Sequence, residues 1–160
     1  MSNFVIYVQL EKYLHEWVSF HFGNPVQFPM QSVANSVIRT FVTKLPADAA
    51  PQMGGEGFTA IVIPESKAKP AQYYNYIGER GAKAIKEVIK DLFKRSLWTD
   101  ISPLENSPIG LNTRIAAWCE LHGIGIDRIE TVRQCYYRMR DCYNKNGINL
   151  RSTTHKSDGQ

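Results

Sequence analysis

The residues best suited to chemistry lie near the end of the chain, in 115–143, IAAWCELHGIGIDRIETVRQCYYRMRDCY. Arg133, Tyr137 and Arg140 recur there at helical spacing, with Gln134 and Arg138 beside them. Ile129, Val132, Tyr136, Met139 and Tyr143 recur at alternating steps of three and four, which predicts one buried face on the same helix. A helix buried along one side and carrying guanidinium, amide and phenol groups along another is what a groove-reading helix presents. The plainer alternative is an ordinary helical hairpin whose arginines only solvate a surface.

Other chemistries have weaker footing. Cys119 and His122 form a single C-x-x-H pair, whereas a zinc site needs four ligands, usually from two such pairs. Cys135 and Cys142 stand seven apart on one helical face, as packing residues do, and His15 and His21 are six apart, off the i, i+4 spacing that shares a face. No G-x-S-x-G, Walker A, G-x-G-x-x-G or H-E-x-x-H pattern occurs, and Asp91, Asp100, Glu105, Asp127 and Glu130 are scattered singly. The expectation is therefore no enzyme, no metal and no cofactor. Tyr73, Tyr74 and Tyr76, around Asn75, form an aromatic cluster that could stack on unpaired bases but more often packs on a neighbouring element. Lys86, Lys90 and Lys94 make one exposed line on a helix, a phosphate-contacting face or a solvated one that Glu87 and Asp91 partly neutralise.

Composition sets the frame for these candidates. A chain of 160 residues, 43% hydrophobic, can bury a core as one domain or two small ones. Its net charge of +4 favours polyanionic partners without demanding them. The first residues lack a basic segment followed by an apolar signal core, and no apolar run reaches the roughly 18 residues of a membrane span. Three irregularly spaced cysteines suit a reducing compartment better than a disulfide framework. A cytoplasmic protein with no membrane partner is expected.

The elements that must position the arginines follow from the N-terminus. Residues 4–10 (FVIYVQL) read as a strand, and 11–23 as a helix with Tyr13, Leu14, Trp17, Val18 and His21 on one face and Gly23 as its C-cap. Val26 to Phe28 predicts a second short strand. Ser32 offers an N-cap to a helix with Val33, Val37, Ile38 and Phe41 inward, ended by Leu45 and Pro46. Residues 47–57 make a linker, 58–63 a strand, and 73–98 a largely helical region with Ala82, Ile85, Val88, Ile89, Leu92 and Phe93 buried. Its YYNYIGERG start reads as a separate turn or short helix, and 98–112 as a loop or broken helix. Gly123 and Gly125 then mark a tight turn, and Asp127 with Glu130 has the form of a capping box. The parts run 1–46, 47–57, 58–112, 113–145 and a basic flexible tail, 146–160.

With Gly123 as turn glycine, small Cys119 four residues before it, Ile124 after it, and Ile129 and Val132 six and nine residues on, 113–145 resembles helix-turn-helix DNA-binding proteins. It departs from their pattern at His122, usually apolar, and at Ile126, usually polar. The resemblance implies base-edge contacts through Arg128, Thr131 and Gln134. Arg133, Arg138 and Arg140 would be divided between bases and phosphates, with Tyr137 on the same stripe, and Lys145, Arg151 and Lys156 would follow the backbone. It also implies a homodimer on a two-fold site. Across the whole chain, the order Y-L-x-x-W, F-G-N-P-V-x-F-P, Y-N-Y, L-W, A-W-C-E-L-H-G-I is similar to uncharacterised proteins of Bacteroidota genomes and their mobile elements. That similarity carries no activity but points to phage or transposon biology. The expected fold is α+β and mostly α, a small α/β N-terminal part followed by helices ending in a helix-turn-helix-like pair. The expected function is sequence-specific double-stranded DNA binding as a regulator or accessory factor. The alternative is a non-enzymatic module that binds a protein partner in assembly.

Overall fold

A computed structural model describes residues 4–104 and 106–145. Its elements are β1 (Val5–Gln9), α1 (Lys12–Phe22), α2 (Val33–Phe41), β2 (Val42–Thr43), β3 (Phe58–Val62), β4 (Tyr76–Ile77), α3 (Glu79–Ile101), α4 (Leu111–Leu121) and α5 (Ile129–Lys145). The class is α+β and mostly α, as expected.

Alternation in β1 turns Ile6 and Val8 into the core, and β1 pairs antiparallel with β3, Ile6 opposite Ile61 and Val8 opposite Thr59. Thr59 is fully buried, and its hydroxyl is satisfied by Nδ1 of His15 on α1 at 2.7 Å. The expected strand at Val26 to Phe28 is reduced to one parallel bridge, Val26 against Ile61. A second antiparallel pair joins β2 to β4.

In α1 the buried residues are Tyr13, Leu14, Trp17 and Val18, and the helix stops at Gly23 with φ +92°. The Ser32 hydroxyl accepts the Asn35 N–H at the start of α2, as an N-cap should. The inward face of α2 nevertheless differs from the expected one. Ala34, Asn35 and Ile38 are buried, while Val33 is 70% exposed. Asn35 donates to the carbonyls of Phe28 and Pro29 at 3.1 and 2.9 Å, and locking that amide inward turns Val33, two residues back, to the opposite side. The helix stops at Phe41 rather than at Pro46, because Val42 and Thr43 leave to pair with β4. Lys69 holds that end by donating to the carbonyls of Arg39, Thr40 and Val42.

The long helix α3 starts at Glu79 and runs on to Ile101; the tyrosine-rich segment before it is separate, as expected, but it forms a turn and then β4 with Tyr76 and Ile77. Gly81, Ile85, Ile89, Phe93, Leu97 and Ile101 form a ladder of four-residue steps along its buried side, with Ala82, Val88 and Leu92 half-buried beside it. Gly81 is needed there, because a Cβ would sit 2.6 Å from Ile77 and 2.8 Å from the Cβ of Phe41. After a 3-10 turn at Ser102–Leu104, Arg114 of α4 reaches back, donating to the carbonyls of Ile109 and Ile101 at 3.0 and 3.3 Å. One hydrophobic cluster runs from Ile6 to Tyr136, with members from both sheets and all five helices.

The turn between α4 and α5 is clasped by α1. Gly123 has φ +76°, and a Cβ on it would lie 2.6 Å from the Phe20 ring. The Gly125 N–H donates to the Glu16 carboxylate at 2.9 Å. Gly123→Ala is therefore expected to lower stability by more than about 1 kcal/mol, through a left-handed backbone and a steric conflict together. An unchanged urea midpoint would contradict the clasp.

Candidate nucleic-acid interface

The buried face of α5 is close to that expected. Val132 and Tyr136 are buried, Ile129, Met139 and Tyr143 half-buried, and Cys135 joins them. Rotation of α5 against α3 is set by a stack of three rings. Trp98 lies against Tyr136 at 5.4 Å and against Tyr143 at 4.7 Å, both nearly parallel. The expected capping box does not form. The chain makes a 3-10 turn over Ile126–Arg128 first, closed by the Arg128 N–H on the Gly125 carbonyl, so α5 begins two residues beyond Asp127. Glu130 instead binds Arg133 and accepts from Gln134 at 2.9 Å.

The expected recognition residues fall on two flanks of α5. On one flank, Arg133 is paired with Glu130, the Tyr137 hydroxyl donates to Asn112 of α4, and the Arg140 guanidinium lies over the Tyr137 ring at 5.2 Å. Arg128 is half-buried at the turn, 3.8 Å from its neighbour Asp127. Most of the cationic surface of this stripe is thus already engaged. On the other flank, Thr131 and Arg138 point toward α3. Gln134 and Lys145 are exposed, and Arg151 and Lys156 lie outside the described residues.

Between α3, α5 and the start of α1 runs a groove of about 850 Å³. Thr131, Cys135, Arg138, Met139, Cys142 and Tyr143 form its α5 wall, opposite Lys90, Asp91, Lys94, Arg95, Trp98 and Thr99 of α3. Glu11 and Tyr13 close one end. Asp91 and Arg95 neutralise each other across 3.0 Å. Lys90, Lys94 and Arg138 have no carboxylate at ion-pair distance among the described residues, although Glu11 lines the same groove. Burial raises the Cys135 thiol pKa; Lys94, Arg138 and Lys90 pull it down and Glu11 raises it. Three cations along one concave groove, none ion-paired with a described carboxylate, favour an anion there.

Of the expected Lys86, Lys90 and Lys94 line, the last two serve this groove. The tyrosine cluster is dispersed: Tyr76 belongs to β4, Tyr74 lies under the Lys44 ammonium at 5.5 Å, and Tyr73 accepts from Gln72. Residue spacing could not reveal the groove, because α3 and α5 meet only through tertiary packing. The signal in the sequence was the coincidence of a lysine line on one helix with Arg138 on another.

A second polar cluster joins α1 to α4. His21 Nε2 and His122 Nδ1 are 2.7 Å apart, and His122 stacks on Trp118. The Trp118 indole donates to Asp100 at 2.8 Å, with His122 Nε2 3.7 Å from the same oxygen. Both imidazoles are held below the usual histidine range, first by burial; His21 then pushes His122 further down, while Asp100 opposes the shift in both. A histidine whose pKa falls on folding contributes stability that is full above about pH 6.5 and is lost as the pH drops below it. Acidification from about pH 7.5 to about pH 5.5 is thus expected to lower the urea midpoint, and His21→Gln to flatten that dependence. A midpoint that rises on acidification would contradict this.

Among the described residues, no group of three or more His, Cys, Asp or Glu could hold a metal ion, and no helix is long and apolar enough to cross a membrane. No protein-family model, no curated protein and no solved structure matches the chain.

Proposed function

We propose that the protein binds double-stranded DNA, with Lys90, Lys94 and Arg138 holding backbone phosphates along the α3–α5 groove and α5 as the element laid against the duplex. The observation that carries this reading is that those three cations line one groove, none of them ion-paired with a carboxylate among the described residues. Exposed Thr131 and Gln134 supply hydroxyl and amide groups for base edges in the first turns of α5. Asp127 and Glu130 put negative charge at the leading end of that helix and work against an end-on approach by the Arg133 stripe. Side-on contact through the groove avoids them. A homodimer would double the contacts on a two-fold site. The resemblance of the motif order to mobile-element proteins, read from the sequence alone, is the ground for placing this role in a regulator or accessory factor of such an element.

The test is fluorescence anisotropy of the full chain with random-sequence duplex. Three phosphate contacts give a log K against log salt slope of about −2.7, a fall of about 40-fold between about 50 and about 200 mM salt. No binding at the lower salt would sink the reading. The protein-binding alternative has its own observation: Phe20, Leu121 and Ile126 expose 58, 72 and 81% of their surface around the α4–α5 turn.

A further inference from the structure

We infer that the α3–α5 groove receives one unpaired nucleotide of the bound DNA, with the backbone phosphates on and beside that nucleotide held by Lys90, Lys94 and Arg138 and its base on the Tyr143 ring. This rests on the DNA-binding reading and goes beyond it, since a fully paired duplex keeps its bases stacked inside and offers a protein phosphates and groove edges only.

Three features of the groove have no use in phosphate contact alone. Its volume of about 850 Å³, partly open to solvent, falls in the range of small-molecule clefts, whereas a track for backbone phosphates needs only a shallow charged surface. Its walls are mixed, with Tyr13, Trp98, Tyr143, Met139 and Cys135 interleaved with the cations. The ring stack also reaches it. Trp98 stacks with both Tyr136 and Tyr143, and Tyr143, with no second ring partner among the described residues, is half-buried and lines the groove. A base laid on it would become the fourth ring of a stack already built. Base–aromatic stacking of this kind tolerates every base, because each has a π face. Glu11 and the hydroxyls of Thr99 and Thr131 stand on the same walls, where a carboxylate can accept from an exocyclic amine and a hydroxyl can meet either kind of edge.

The experiment compares three labelled duplexes of one sequence by anisotropy at low salt: fully paired, with a single-nucleotide bulge, and with an abasic bulge of the same backbone. The full chain is expected to bind the bulged duplex about tenfold more tightly than the paired one, and the abasic bulge no better than the paired one. Tyr143→Ala should close the gap between bulged and paired duplexes, while Tyr143→Phe, which keeps the ring and controls for folding, should preserve it. Equal affinity for bulged and paired duplexes would overturn the inference and leave the DNA-binding reading standing. An abasic bulge bound as tightly as the nucleotide bulge would overturn it too, assigning the gain to backbone bending. Failure to bind any of the three would overturn both.

Discussion

Replacing Lys90, Lys94 and Arg138 together with glutamine is expected to flatten the salt dependence of duplex binding by about 2.7 in log–log slope and to abolish measurable binding near physiological salt. The expectation comes from counterion release. Each cation seated on a phosphate returns a condensed ion to solution, and the affinity that depends on it vanishes as bulk salt rises. The same variant should stay folded. Lys90 and Lys94 are half-buried, Arg138 is exposed, and none of them belongs to the hydrophobic cluster, so their removal leaves the core intact. Single substitutions should each remove about one third of the slope change. A triple variant with unchanged slope would move the phosphate contacts elsewhere, with Arg133 and Arg140 the next candidates.

Phe93→Ala is expected to cost about 3–5 kcal/mol, the range for emptying a buried phenylalanine site. Phe93 is fully buried and meets three rings from two other helices edge-on: Tyr13 at 5.1 Å and Trp17 at 5.6 Å on α1, and Trp118 at 5.7 Å on α4. The cavity would open where α1, α3 and α4 meet, so no single element can move to fill it. Because those rings belong to one cluster, urea unfolding followed by tryptophan fluorescence and by circular dichroism should shift together. A loss below about 1 kcal/mol, or two separated transitions, would show that the helices do not share one core.

Much of this scaffold was legible in the sequence because its signals were local. Gly23 ends α1, Ser32 caps α2, and the β-branched and aromatic residues of β1 and β3 mark both as strands. What was missed was set by partners outside the element itself. Asn35 is buried because two carbonyls from the preceding turn need a donor, which no hydrophobic pattern encodes. The segment before α3 reads in the sequence as a turn or short helix, and Tyr76 and Ile77 form a strand there because β2 offers them hydrogen bonds. The capping-box pattern at Asp127 lost to a 3-10 turn whose Gly125 N–H is taken by Glu16, more than a hundred residues away in sequence. The candidate interface divided along the same line. Arginines spaced on one helix were readable, but which of them meet an acid, a ring or an open groove depends on α3 and on the rotation that Trp98 imposes.

The most direct test of the central claim is lysine acetylation of the full chain with and without saturating duplex, read site by site by mass spectrometry. Lys90 and Lys94 should be protected by DNA, while Lys44 and Lys67, exposed on the β2 end and the loop before β4, should react equally in both samples. Uniform reactivity at Lys90 and Lys94, with duplex bound, would contradict the groove as the face that meets DNA.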